Sequence, residues 1–157
     1  MSDADDRGLL ERIARRDRTA FETFFRAHAP AVHRFVGDLV RDESLAEELT
    51  SDVMVEVWRS AGKFGGRSQA RTWVFGIAHH KAIDALRKRR TTLVRLDEAL
   101  ASLSAEHRAV LELTYVEGFS QKEIADIVDC PLATVKTRAF YAKQRLRDAL
   151  ATAEHPR

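Results

Sequence analysis

Apolar residues recur along this chain at three- and four-residue intervals, and that spacing predicts helices almost throughout. From Ala20 to Val40, residues Phe21, Phe24, Phe25, Ala29, Val32, Phe35, Val36 and Leu39 share a stripe, with Pro30 placed to kink or divide the helix. Over 44–60, Leu45, Leu49, Val53 and Val57 form a second stripe closed by Trp58, and Ser44 followed by Glu47 has the form of a capping box. Gly62-Lys63-Phe64-Gly65-Gly66-Arg67 is the most glycine-rich point and predicts a loop. A helix from about Gln69 to Arg90 follows, with Val74, Ala78, Ala82 and Leu86 on one face and basic residues accumulating toward its end. Further helices are predicted over Leu96–Leu103 and Ala105–Val116. The expected fold class is all-α, with two small helical domains.

The sharpest pattern lies from Ser120 to Arg147. Ile124, Ala125 and Val128 give a short helix its apolar face, and Asp129-Cys130-Pro131 breaks it, because Pro131 has no N–H to donate and disfavours helical geometry at Cys130. A second helix then carries Lys136, Arg138, Lys143, Arg145 and Arg147 with no acid before Asp148, whereas the first carries Glu123, Asp126 and Asp129. Small Ala125 permits a close crossing, and Val135 is placed to plug it. These are the mechanical requirements of a helix-turn-helix whose second helix enters a major groove. Asp129 stands where such turns favour Gly, and Asp tolerates the left-handed conformation better than most residues.

Composition narrows the class. Gly and Pro are scarce, no apolar run approaches the ~20 residues that span a bilayer, and MSDADDRGLL is acidic, unlike a signal peptide. A single Cys rules out an internal disulfide and suits a reducing, cytoplasmic compartment. The net charge of +2 hides a segregation. Asp38–Glu56 holds seven acids against one base, and Lys81–Arg90 holds five bases against one acid. Two basic blocks between acidic helices imply two contacts with nucleic acid and others with a basic protein surface. No nucleophile sits beside a base in any catalytic motif, and no His or Cys spacing suits a metal, so neither an enzyme nor a cofactor is expected.

The order of these features is specific. SLAEELTSDVMVEVWRSAGKF leads through the Gly-rich loop into RTWVFGIAHHKAIDALRKRR, and LASLSAEHRAVLELTYVEGFSQKEIADIVDCPLATVKTR follows. From roughly Leu9 to Leu150 the chain resembles the extracytoplasmic-function (ECF) group of bacterial sigma factors, which have only sigma regions 2 and 4. The resemblance implies an acidic tail over 1–8, region 2 over 9–90, a short linker over 91–95, region 4 over 96–151 and a tail over 152–157.

It also implies roles. Glu47, Glu48 and Asp52, with Leu49 beneath and Ser51 where the family usually has Gln, would dock on the clamp of core RNA polymerase. The Gly65–Arg71 loop would read an unpaired −10 base through Arg67, Ser68 and Gln69, with Arg71 beside them. Trp73 would stack on DNA or plug the core. His80 stands where the family commonly has Asn, and Lys81, Arg87 and Lys88 would hold phosphates. In region 4, Thr134, Lys136, Thr137, Arg138, Tyr141 and Lys143 would reach the −35 element, with Phe140 and Tyr141 replacing more polar residues, either to contact a thymine methyl or to turn inward. The implied partners are core polymerase, promoter DNA and an anti-sigma factor, with no direct insertion of this chain into a membrane. A stand-alone helix-turn-helix regulator is the alternative.

One departure from the family has a mechanical consequence. The 91–95 linker spans at most ~18 Å, whereas two turns of duplex separate the promoter elements by ~70 Å. Arg89–Ala101 is therefore expected to re-form as a longer connector on polymerase. Insertion of Gly-Ser residues after Thr92 should alter promoter-spacing preference in a transcription assay; an unchanged preference would remove the constraint.

Overall fold

A computed structural model describes residues 1–92 and 105–154, with side chains described up to 89 and from 105 to 144. The expected helix over Leu96–Leu103 and most of the linker lie outside these residues. Helix α1 (Asp3–Ala14) begins at the segment expected to be a tail. Ser2 and Asp5 form a reciprocal capping box, and Asp3, Asp5 and Asp6 occupy the first turn, where the helix dipole favours negative charge. Leu9, Leu10 and Ile13 are buried, and Asp6 turns inward so that its Oδ1 lies 2.9 Å from His28 Nε2.

Helix α2 (Arg18–Val40) runs unbroken through Pro30. The proline sits on the exposed face, where water can satisfy the carbonyl of Arg26 that loses its helical partner. Arg41 closes α2 in the left-handed conformation, and Asp42 starts α3 (Glu43–Ser60) by accepting from Leu45 N at 3.1 Å. The capping box expected at Ser44 is therefore absent: the extended backbone that capping needs falls at Asp42, and Ser44 is already helical. A 3-10 turn (Ala61–Lys63) and the Gly-rich loop lead to α4 (Ala70–Thr92).

The C-terminal module begins with α5, helical over 105–111 and widening to a π-turn over Glu112–Val116. It continues through α6 (Gln121–Val128) to α7 (Leu132–Glu154). Ser120 and Glu123 cap α6 reciprocally, Asp129 adopts φ 55° and ψ 50°, and Val135 is fully buried between the helices. The two modules share one apolar core. Phe75 of α4 is buried between Phe35 of α2 (ring centroids 5.3 Å) and Phe119 of the C-terminal module (5.6 Å). Gly76 brings α4 against the backbone of Ile127 in α6. No strand occurs among the described residues.

Candidate nucleic-acid interface

The Gly-rich loop owes its shape to Gly66, at φ +72°, and to helix α1. The Arg7 guanidinium donates to the carbonyls of Gly66 (3.3 Å) and Ser68 (2.7 Å), while Asp3 accepts from Ala70 N at 2.7 Å. Arg67 and Gln69 are exposed on the loop, and Ser68 Oγ donates to the Gln69 carbonyl at 3.2 Å. A 420 Å³ cleft opens between α1 and the loop, bordered by Arg7, Leu10, Arg15, Phe64, Gly65 and Gly66. Trp73 is half-buried, its ring 5.4 Å from that of Phe64, so it seals the edge of the core and keeps one side toward solvent.

Arg71 points elsewhere. Its guanidinium binds the carboxylate of Glu117, donates to the Glu117 carbonyl at 2.8 Å, and lies over the rings of Phe75 and Phe119. Arg34 of α2 binds the same carboxylate at 2.7 Å. The Glu117 side chain is only 2% exposed, so one acid of the C-terminal module engages two arginines of the N-terminal module. His79 is also buried, with neither ring nitrogen bonded, whereas His80, Arg87 and Lys88 lie on the exposed side of α4 and Lys81 is half-buried. The inner face of α4 thus turns into the C-terminal module and the outer face stays open.

Helix α3 divides the expected polymerase-binding residues between two faces. Glu48, Leu49 and Asp52 line a 370 Å³ cleft shared with Lys81, Lys88 and Arg89 of α4, while Glu47 and Ser51 are exposed outside it. Leu49 is buried beneath the acids, and Arg89 is held by Asp42 at 2.8 Å.

On α7, Lys136, Thr137, Tyr141 and Lys143 are exposed and Thr134 is half-buried. Thr137 Oγ1 donates to the Ala133 carbonyl at 3.0 Å, and Lys143 lies 6.0 Å from the Tyr115 ring. Arg138 is half-buried and bridges Glu106 at 3.4 Å, so it is held against α5 in this arrangement. Phe140, for which contact with a thymine methyl and an inward turn were both open, is 63% exposed on the same face as Lys136 and Thr137. The signal for it was present in the helical register, since 133, 136, 137, 140 and 144 share one exposed stripe. Glu117, Arg7 and Asp3 left no such signal, because the arginines, loop carbonyls and helix start they hold are distant in sequence.

Two groups at the module interface titrate in opposite senses. Burial, then the neighbouring Asp38 and Glu117, raises Glu112 from 4.5 to about 7, with Arg34 opposing. Burial, then the charges of His80, Arg138 and Arg87, lowers His79 from 6.5 to about 4. Stability contributed by Glu112 is full below pH 4.5 and lost as pH rises through about 7; that of His79 is full above pH 6.5 and lost as pH falls through about 4. The two slopes oppose each other in mild acid. Glu112→Gln removes one of them, so the melting temperature of wild type minus that of the variant should rise as pH falls from about 7 to 4.5. Parallel melting curves across that range would show that Glu112 does not titrate there.

Residues 24–92 match the sequence profile described as Sigma-70 region 2, and residues 93–146 match that of Sigma-70, region 4. These matches define a two-region sigma factor. The chain is 32% identical to the ECF RNA polymerase sigma factor RpoE of Cereibacter sphaeroides, covering 96% of this chain and 98% of that one. It is 28% identical to the ECF sigma factor SigK of Mycolicibacterium vanbaalenii, covering 92% and 89%. Among solved structures, CnrH in complex with the cytosolic domain of CnrY superposes with a TM-score of 0.76 at 26% identity, covering 94% of this chain and 98% of that one. RpoE of Bartonella quintana in complex with the anti-sigma factor NepR gives 0.71 at 25% identity, covering 87% and 98%. The chain belongs to the ECF group of sigma factors, which direct RNA polymerase to promoters. Among the described residues no helix is long and apolar enough to cross a membrane, and no group of three or more His, Cys, Asp or Glu is placed to hold a metal ion.

Proposed function

We propose that this chain acts in the cytoplasm as the promoter-specificity subunit of RNA polymerase and performs no chemistry of its own. Glu48 and Asp52, over Leu49, dock on the core enzyme. The 65–71 loop takes an unpaired −10 base from the melted non-template strand, and Lys81, Arg87 and Lys88 hold phosphates. Helix α7 reads the −35 element. The observation that carries this reading is the exposed stripe of α7, with Lys136, Thr137 and Phe140 together and exposed Tyr141 beside it, behind a left-handed turn, in the same chain as an exposed Gly-rich loop.

Geometry adds a step. A compact chain of 157 residues has a radius of gyration of about 15 Å and is ~40 Å across, short of the ~70 Å between promoter elements. The two modules must therefore separate, releasing Arg71 from Glu117 and uncovering His79. An anti-sigma factor that holds the modules together would keep the chain inactive; two structural neighbours were solved with the cytosolic domain of CnrY and with NepR.

The test is transcription of fragmented genomic DNA by sigma-free core polymerase with this chain added, followed by mapping of RNA 5′ ends. Discrete ends that depend on the chain and share two upstream elements are expected. Tight duplex binding without such transcripts would favour a stand-alone regulator.

A further inference from the structure

We propose that Asp3 and Arg7 of α1 are positioning residues for the loop that takes the unpaired −10 base, an inference that rests on the reading of that loop given above. Loops with this much glycine have many conformations to lose, and a base pocket gains affinity when its shape is set beforehand. Here the setting comes from outside the loop. Arg7 Nη2 is 2.7 Å from the Ser68 carbonyl, and both terminal nitrogens are 3.3 Å from that of Gly66. Drawing carbonyls 66 and 68 onto one planar guanidinium fixes the curve of the chain between them, and Arg67 stays exposed. The guanidinium also lies over the Phe64 ring, 5.4 Å from its centroid, so it grips the loop at its entry as well.

Asp3 completes the device. One carboxylate oxygen accepts from Arg7 Nε at 2.6 Å, and the other accepts from Ala70 N at 2.7 Å. The residue before Ala70 is Gln69, which is not among the favoured capping types, so the first turn of α4 takes a cap from 67 residues away. The loop is thereby tied at Gly66, at Ser68 and at the start of α4 by a single i,i+4 pair on α1. Gly66 fits the same arrangement: a Cβ there would sit 3.0 Å from Arg7 Nη1, on a backbone already at φ +72°.

The experiment uses holoenzyme assembled from the full chain and core polymerase. The probe is a fork-junction DNA built on a promoter mapped as above, with the unpaired −10 position carrying each of the four bases or an abasic site. For Arg7→Ala and for Asp3→Ala, affinity for the best-base probe should fall roughly ten- to a hundredfold, with discrimination among bases flattened. Arg7→Lys should not rescue, because an ammonium cannot span both carbonyls with the fork of a guanidinium. Core binding and affinity for the abasic probe should be unchanged in all three. Equal losses on base and abasic probes would mean general damage to the module and would overturn the proposal, as would unaltered base discrimination in Arg7→Ala. If wild-type holoenzyme itself failed to distinguish base from abasic site, the loop reading would fall first and take the proposal with it.

Discussion

Glu48→Lys combined with Asp52→Lys is expected to reduce chain-dependent transcription at least a hundredfold while leaving the helical circular-dichroism signal intact. Both acids are exposed on α3, so their replacement disturbs no core contact. They border a cleft whose other wall carries Lys81, Lys88 and Arg89, and the double reversal leaves Asp84 as the one acid in a predominantly basic cleft. Like charges at contact distance cost about 1–4 kcal/mol each across the range from water-like to protein-like dielectric, and a hundredfold needs only ~2.7 kcal/mol. Reversing Glu47, which lies on α3 outside this cleft, should have a distinctly smaller effect. Equal losses from both changes would show that the docking face is broader than the cleft.

The second large effect is expected at Glu117. Its carboxylate holds Arg71 and Arg34 at once, while its own backbone carbonyl accepts from Arg71 as well. Glu117→Gln keeps the size but removes the charge, leaving two guanidinium groups with one neutral side-chain acceptor besides the backbone carbonyl. Because both arginines are partly exposed, the loss is far below that of a fully buried pair, about 2 kcal/mol. That would still shift the balance between closed and separated modules ~30-fold. Small-angle scattering should report a larger radius of gyration, and α4 should exchange its amide hydrogens faster near Phe75. Binding of promoter duplex without polymerase should strengthen, since part of the separation has already occurred. Unchanged scattering and exchange would mean that the apolar contacts of Phe75, Phe119 and Gly76 hold the modules by themselves.

What could be read from the sequence was what depends on near neighbours. The helix-turn-helix was legible because its turn residue Asp129, its break at Pro131 and its plug Val135 lie within a few positions of one another, and each occupies its expected place. The acidic opening segment, expected to be a tail, begins helix α1. Asp3 caps a distant helix and Asp6 meets buried His28, pairings that no local pattern carries. At the start of α3, Asp42 and Ser44 were both chemically able to cap, and only the left-handed Arg41 before them decides the choice. Pro30 was expected to kink or divide α2, yet the helix runs on through it, because the proline falls on the solvent side, which its own position does not reveal.

Within the candidate site, the periodic part was legible and the tethering part was not. The exposed face of α7 follows from helical register. Arg71 was assigned to DNA as a basic residue beside the loop, and nothing local indicates that Glu117, 46 residues on, would claim it. Such long-range pairs are set by how the modules pack, and the residues that set the packing are spread over α2, α4 and α6.

The most direct measurement is gel filtration of the purified chain with core RNA polymerase stripped of other sigma factors. Stoichiometric co-elution, lost in the Glu48→Lys/Asp52→Lys chain, is the expected result. Wild-type chain that elutes apart from the core enzyme, yet binds duplex DNA tightly by itself, would contradict the assignment of this chain as a polymerase subunit.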